Sequence, residues 1–215
     1  MNRPLLISDC DEVLLHMLVP FAQWLDEAHD VHFNIDTLFN EETGGYLNAM
    51  RHKLSGDKVD QERIWPFLKG FFETEMHRQL PIAGAVEAIN LIGQHADVVV
   101  LTNLTDDVRD ARAAQLRAVG IDVPVYTNQG GKGALMADII AKYRPSVAVF
   151  VDDLAHQHTS VAKETPDVLR LHMVGEPRVA SQIKTPAAAH ARIDDWPSAT
   201  QWILDRFDGV IANAA

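Results

Sequence analysis

Three short apolar runs, each cut off by a polar residue, constrain what this chain can fold into. Leu5-Leu6-Ile7-Ser8 stops at Asp9, Val98-Val99-Val100-Leu101 at Thr102, and Val147-Ala148-Val149-Phe150-Val151 at Asp152. Aliphatic runs of this length without polar alternation read as strands covered on both faces, as in a parallel sheet. Shorter strands are expected at 123–127, 168–172 and 191–193. Helical patterns fall between them: 85–93 after Pro81 and Gly84, 106–119 ending at Gly120, a stretch from Lys132 to before Pro145, another reaching about 163, and 198–207. This alternation predicts an α/β fold, a Rossmann-like, doubly wound parallel sheet. Such sheets bind ligands beyond the carboxyl ends of their strands. Asp9, Thr102 and Asp152 are therefore expected along one edge.

The stretch between the first two long runs is too long for a simple crossover. Residues 15–80 carry helical patterns at 17–28, 37–39 and 64–75, a Gly44-Gly45 break, and an aromatic set that includes Phe21, Trp24, Phe33, Trp65, Phe67 and Phe71. The expected division is a core of residues 1–14 and 81–215 with an inserted α-helical subdomain at 15–80. Composition narrows the chemistry further. With 19 Lys+Arg against 30 Asp+Glu, the formal charge is −11, which repels phosphate backbones and anionic bilayers and disfavours nucleic-acid and membrane partners. The single cysteine, Cys10, excludes an internal disulfide and a thiolate metal cluster. No apolar stretch approaches a membrane span of about 20 residues, and Asp9 breaks the N-terminal apolar run, so a cytoplasmic location is expected.

The polar ends of the runs carry the chemistry. In Asp9-Cys10-Asp11, alternate side chains of an extended strand end point the same way, so both carboxylates can face one site. Two close carboxylates repel, so either one holds its proton or a cation joins them. The pair can supply a nucleophile and an acid that later acts as base; a turn or a helix cap is the plainer reading. Asp152-Asp153 follows a buried strand, where adjacent acids are costly unless a cation or donors neutralise them. Oxygen donors without cysteine favour Mg2+, and a helix N-cap is the alternative. Thr102 offers a hydroxyl and Asn103 a backbone N–H for phosphate oxygens. Lys132, in Gly130-Gly131-Lys132-Gly133, opens a helix, a place that favours anions, although its spacing is not that of a nucleotide P-loop.

Strand-Asp-x-Asp, strand-Thr, helix-opening Lys and strand-Asp-Asp, in this order, resemble the four motifs of the haloacid dehalogenase-like (HAD) superfamily. The motifs lie at 5–13, 98–103, Lys132 and 147–153, and the helical insert is similar to the cap that many members carry after the first motif. The resemblance implies that Asp9 attacks phosphorus, forming an aspartyl-phosphate, while Asp11 protonates the leaving oxygen and later activates water. It implies that Thr102, the Asn103 amide and Lys132 hold the phosphoryl oxygens. Mg2+ would sit on Asp9, the Asp11 carbonyl and one of Asp152 or Asp153. Glu12 stands where Gly is frequent in the family, and Val13 where Thr is. Asp11 and the Asp152-Asp153 pair separate the chain from members that cleave carbon–halogen bonds.

The expected activity is that of a Mg2+-dependent phosphatase acting on a small phosphorylated metabolite. The alternatives are a phosphotransferase or mutase on the same fold, and a binding or regulatory module with little turnover. Several residues receive plainer assignments. His156 and His158, two apart on a helix, point to different faces and are read as packing or capping rather than metal ligands. His16 is read as surface or packing, Asp194-Asp195 as a cap for the last helix, and Cys10 as a small buried side chain. Nothing in the sequence indicates the oligomeric state.

Overall fold

The apolar runs become strands because β-branched and aliphatic side chains at successive positions fill opposite faces of one sheet. The computed structural model describes residues 2–39 and 45–213, with side chains through residue 209. In chain order the strands are β1 (Leu5–Ser8), β2 (Val31–Phe33), β3 (Met50–His52), β4 (Asp97–Thr102), β5 (Val125–Thr127), β6 (Ala148–Asp152), β7 (Leu169–His172) and β8 (Ala191–Arg192). The α-helices are α1 (Leu18–His29), α2 (Tyr46–Ala49), α3 (Gln61–Thr74), α4 (Ala85–His95), α5 (Arg109–Ala118), α6 (Gly133–Tyr143), α7 (Ala155–Glu164), α8 (Pro177–Ala180) and α9 (Trp196–Asn213).

Two compact units emerge. One comprises Met1–Leu14, Pro81–Gly175 and Thr185–Ala215, the other Leu15–Leu80 with Glu176–Lys184. Residues 176–184 thus depart from the division expected from sequence. In that segment Pro177 starts the short helix α8, and Arg178 makes a two-pronged ion pair with Asp36, at 3.0 Å on each prong.

Among the described residues, the larger unit holds a six-stranded, wholly parallel sheet in the order β5-β4-β1-β6-β7-β8. This is the Rossmann-like α/β core anticipated from the apolar runs. Strand β1 is central, with Ser8 level with Val100 on β4 and with Val151 on β6. That register carries Asp9, Thr102 and Asp152 to one edge. On one face, Leu5, Ile7, Val99, Leu101 and Phe150 pack against Met136 and Ile139 of α6 and Val161 of α7. The opposite residues Leu6, Val98, Val100, Val149 and Val151 are buried as well. Trp196, at the start of α9, is fully buried and donates its indole N–H to the Val13 carbonyl at 2.8 Å. An unpaired charge within β1 or β6 would be costly to bury, which is why their acids appear only where those strands end.

Helices α6 and α7 meet closely at Gly133. A Cβ there would lie 2.3 Å from the Ser160 carbonyl oxygen, so only glycine lets the start of α6 reach α7. The Gly133 N–H donates to the Ser160 hydroxyl at 2.9 Å.

The smaller unit is less purely helical than its pattern suggests. Strands β2 and β3 pair antiparallel, Val31 with His52 and Phe33 with Met50. Three-residue strands are too short to register as alternation in the sequence. The expected turn of helix at 37–39 is instead a 3-10 turn at Ile35–Thr37. Gly44 lies outside the described residues, and Gly45 precedes α2 with a φ of 96°. Most of the aromatic set forms this unit's interior: the Phe21 ring meets Phe33 and Phe71 edge-on, and Trp24 meets Phe67 edge-on. Trp65 does not join it; it lies on the solvent side of α3 and is 77% exposed. Among the described residues, no helix is long and apolar enough to cross a membrane.

Candidate active site

Everything chemical in the larger unit turns on one ammonium group. Lys132, the N-cap residue of α6, is buried, and its Nζ stands 2.8 Å from Asp9 Oδ1 and 2.6 Å from Asp152 Oδ2. Residues more than a hundred positions apart in sequence are thereby joined by one cation. The lysine is held from behind: its backbone N–H donates to Gln157 Oε1 at 2.8 Å, and Gln157 Nε2 donates to the Gly130 carbonyl at 3.0 Å. Burial opposes the charged lysine, but Asp152 and Asp9 prevail and hold its pKa above the ordinary value. Its ammonium form is therefore locked in.

The acids respond in different ways. Burial pushes the Asp9 carboxyl up to about 7, with the negative charges of Asp152 and Asp11 adding to the rise and Lys132 opposing it. Asp152 has both carboxylate oxygens engaged, Oδ2 by Lys132 and Oδ1 by the Leu154 N–H at 2.8 Å. Asp153 is pushed well above the carboxylate range, first by burial and then by Asp152, Asp9 and Glu12. Asp9, Asp152 and Asp153 each present a carboxylate oxygen, all within 4.8 Å of one another. Three crowded oxygen donors, two of them with raised pKa values, suit a hard divalent cation, which relieves the repulsion that protons otherwise relieve.

Asp11 is held separately. Its carboxylate meets Nη2 of Arg112 at 2.9 and 3.2 Å. At the end of β4, Thr102 is buried and its Oγ1 has no hydrogen-bond partner. A buried hydroxyl left without a partner is an unmet donor, and an oxyanion at that edge would satisfy it. The Asn103 side chain ties this strand end to the lysine loop, donating to the Gly130 carbonyl at 2.9 Å and accepting from Asn128 at 3.0 Å.

Several residues take part beyond the expected set, Glu12 and His158 among them, the latter in the packing role read from the sequence. Glu12 is buried and is a fifth acid of the cluster, near enough to raise the Asp153 pKa. Its φ is 59°, the left-handed region that favours glycine, and its carbonyl accepts from the Gly175 N–H at 2.9 Å. The loop after Asp11 thus keeps a glycine-type conformation with a glutamate in place. Two buried imidazoles stand behind the acid pair: His158 Nε2 lies 3.0 Å from the Asp152 carbonyl, and His172 Nε2 lies 2.8 Å from the Asp153 carbonyl. Burial lowers both pKa values, so both rings are neutral and donate from Nε2. They contact the backbone of the acids and not the carboxylates. Arg112, Gln157 and His172 gave no motif-like signal, although an arginine four residues before Leu116 on a buried helix face is a clue in retrospect.

The remaining minor assignments resolve simply. Asp195 Oδ1 accepts from the Ser198 N–H at 2.8 Å, capping α9. His16 lies 3.6 Å from Glu176 in the smaller unit. Cys10 is fully buried, and burial pushes its thiol pKa upward, leaving it unreactive.

No family model matches the sequence, and no curated protein matches it. Solved structures do. A candidate HAD-hydrolase from Bacillus subtilis, bound to magnesium, is 14% identical over 95% of this chain and 100% of its own, with a TM-score of 0.61. A HAD-superfamily hydrolase of subfamily IA from Geobacter sulfurreducens is 16% identical over 94% and 96%, with a TM-score of 0.55. A candidate β-phosphoglucomutase from Thermotoga maritima is 16% identical over 94% and 99%, with a TM-score of 0.57. Likeness at these identities shows the fold, which is that of the HAD-superfamily hydrolases.

The pKa directions yield a test of cation binding. A carboxyl raised above its unfolded value is protonated in the fold at low pH, and the folded chain gives up that proton as pH rises. Mg2+ must displace those protons, so its stabilisation should grow with pH. In thermal melts, added Mg2+ is expected to raise the midpoint more at about pH 8 than at about pH 6, because Asp9 changes state between them. An equal rise at both would mean that these acids do not receive the ion.

Proposed function

On this HAD-like fold, we propose that the chain is a Mg2+-dependent phosphatase that hydrolyses a small phosphorylated metabolite. The observation that carries the reading is the buried Lys132 ammonium between Asp9 and Asp152, with Asp153 left crowded beside them. A structural ion pair needs one acid and one cation. Here three carboxylates, those of Asp9, Asp152 and Asp153, crowd around one cation, Lys132. Such a deficit fits a site that takes a divalent ion as a resident and an anion as a substrate.

Asp9, Asp153 and the Asp11 carbonyl would hold Mg2+, with Asp152 bridging to Lys132, since both of its oxygens are already engaged. The bound ion would supply positive charge that screens the nucleophile from the phosphate. Asp9 then attacks phosphorus, the bond to the leaving oxygen breaks, and an aspartyl-phosphate forms. Asp11 gives its proton to the leaving oxygen. It later takes one from the water that attacks the same phosphorus and frees Asp9. The Thr102 hydroxyl, the Asn103 amide and Lys132 hold the phosphoryl oxygens throughout. Positioning and charge stabilisation, rather than covalent variety, carry most of the rate.

Residues 15–80 are proposed as the cap that selects the leaving group. The buried Phe21, Phe67 and Phe71 give that unit an interior of its own, as a folded specificity element requires.

With Mg2+ and a generic aryl phosphate, Asp9→Asn is expected to lower kcat more than about 10³-fold, and Asp11→Asn by about 10²–10⁴-fold. Steady-state assays of the three proteins decide it; equal turnover by wild type and Asp9→Asn removes Asp9 as nucleophile. Replacing residues 17–79 by a short linker should preserve aryl-phosphate hydrolysis and flatten the ranking across a panel of phosphorylated metabolites. An unchanged ranking would place selectivity in the core.

A further inference from the structure

The acids Asp9, Asp11 and Asp152 do not share one cation. Lys132 serves Asp9 and Asp152, while Asp11, only two residues from Asp9, pairs with an arginine. Arg112 comes from the middle of α5, one hundred and one residues away in sequence, and is fully buried. Its Nη2 lies 2.9 Å from one carboxylate oxygen of Asp11 and 3.2 Å from the other. Its Nη1 donates to Gln115 Oε1 at 3.0 Å, which fixes the plane of the guanidinium. The Asp11 side chain keeps 17% of its surface while the arginine keeps none. The guanidinium therefore backs the carboxylate, and the edge that remains open is the carboxylate's own.

Taking a guanidinium out of water is expensive, and a helix gains nothing in propensity by burying one. Leu116, one turn later on the same buried face, indicates the aliphatic residue that α5 would otherwise carry at 112. Without a partner from another element, Asp11 would sit at the end of a strand with free rotation about two bonds, beside acids that repel it. Nη2 meets both carboxylate oxygens while Nη1 is anchored on Gln115, so the rigid guanidinium restrains the carboxylate from a fixed position that a flexible lysine without the second anchor would not hold.

We propose that Arg112 is a positioning residue that holds the Asp11 carboxylate at the angle proton transfer requires; this rests on the reading of Asp11 as the group that moves protons in phosphate-ester hydrolysis. Arg112 acts through Asp11 and does not touch the phosphoryl group. A residue of this kind contributes nothing once Asp11 can no longer transfer a proton, whereas a residue that only stabilises α5 contributes equally in every background.

The test is a double-mutant cycle with Mg2+ and p-nitrophenyl phosphate, comparing wild type, Asp11→Asn, Arg112→Met and the double variant. Methionine fills much of the space of the arginine stem without its guanidinium. The expected result is a fall in kcat of about 10–100-fold for Arg112→Met, with KM within about 3-fold, and less than about 2-fold further loss when it is added to Asp11→Asn. The same factor lost in both backgrounds, or no loss in either, overturns the proposal while leaving the phosphatase reading intact. A wild-type protein that turns over no phosphate ester retires both. If Arg112→Met does not fold, Arg112→Lys runs the same cycle: it retains charge but lacks the second nitrogen anchored on Gln115, and a wild-type kcat in that variant also overturns the positioning role.

Discussion

The contact on which the site depends is the Lys132 ammonium between Asp9 and Asp152. Neither acid could be buried at the sheet edge without it, because a carboxylate taken from water into the protein interior needs a partner of opposite charge. The geometry of the fold serves this contact. Strands β1 and β6 are neighbours, which places Asp9 beside Asp152. Gly133 lets α6 close on α7, and Gln157 of α7 fixes the backbone of Lys132. The lysine is therefore delivered by helix packing rather than by a flexible loop. A site mounted this rigidly keeps its charges in place as charge builds up during reaction.

A cation shared between two acids leaves others exposed to one another, and the structure divides the remainder. Asp11 is given Arg112. Asp153 is left crowded, and burial raises its pKa well above the carboxylate range. His158 and His172 fix the backbone carbonyls of the acid pair without adding charge, since burial keeps both rings neutral. The excess of acids over bases in the composition thus has two origins. Part is solvated surface, and part is a local deficit of positive charge that a divalent ion is suited to fill.

The core and the edge were legible because the aliphatic runs of β1, β4 and β6 stop at polar residues where those strands end; β7, with Arg170 and His172 buried within it, carries a weaker signal. Asp9, Asp152 and Lys132 were found from those endings and from motif order, and the structure brings them into contact. Arg112 was not found, because a single arginine in an arginine-rich helix looks like solvated surface until its partner, a hundred residues away, is known. Glu12 was noticed only as a departure from glycine; its burial and left-handed backbone depend on the turn through Gly175, which no local pattern encodes. Strands β2 and β3 escaped because three residues are too few to show a period. Long-range polar pairs and very short strands share one property: tertiary structure specifies them, and neighbouring residues do not.

The central claim is that Asp9 forms a covalent bond to phosphorus. The most direct measurement is acid-quench labelling of the Asp11→Asn protein, in which hydrolysis of the intermediate is slowed, after brief exposure to Mg2+ and a phosphorus-labelled aryl phosphate. The account predicts a hydroxylamine-sensitive acyl-phosphate that maps, by peptide mass, to Asp9. Label on a serine, threonine or histidine, or turnover with no covalent label at any quench time, would contradict it.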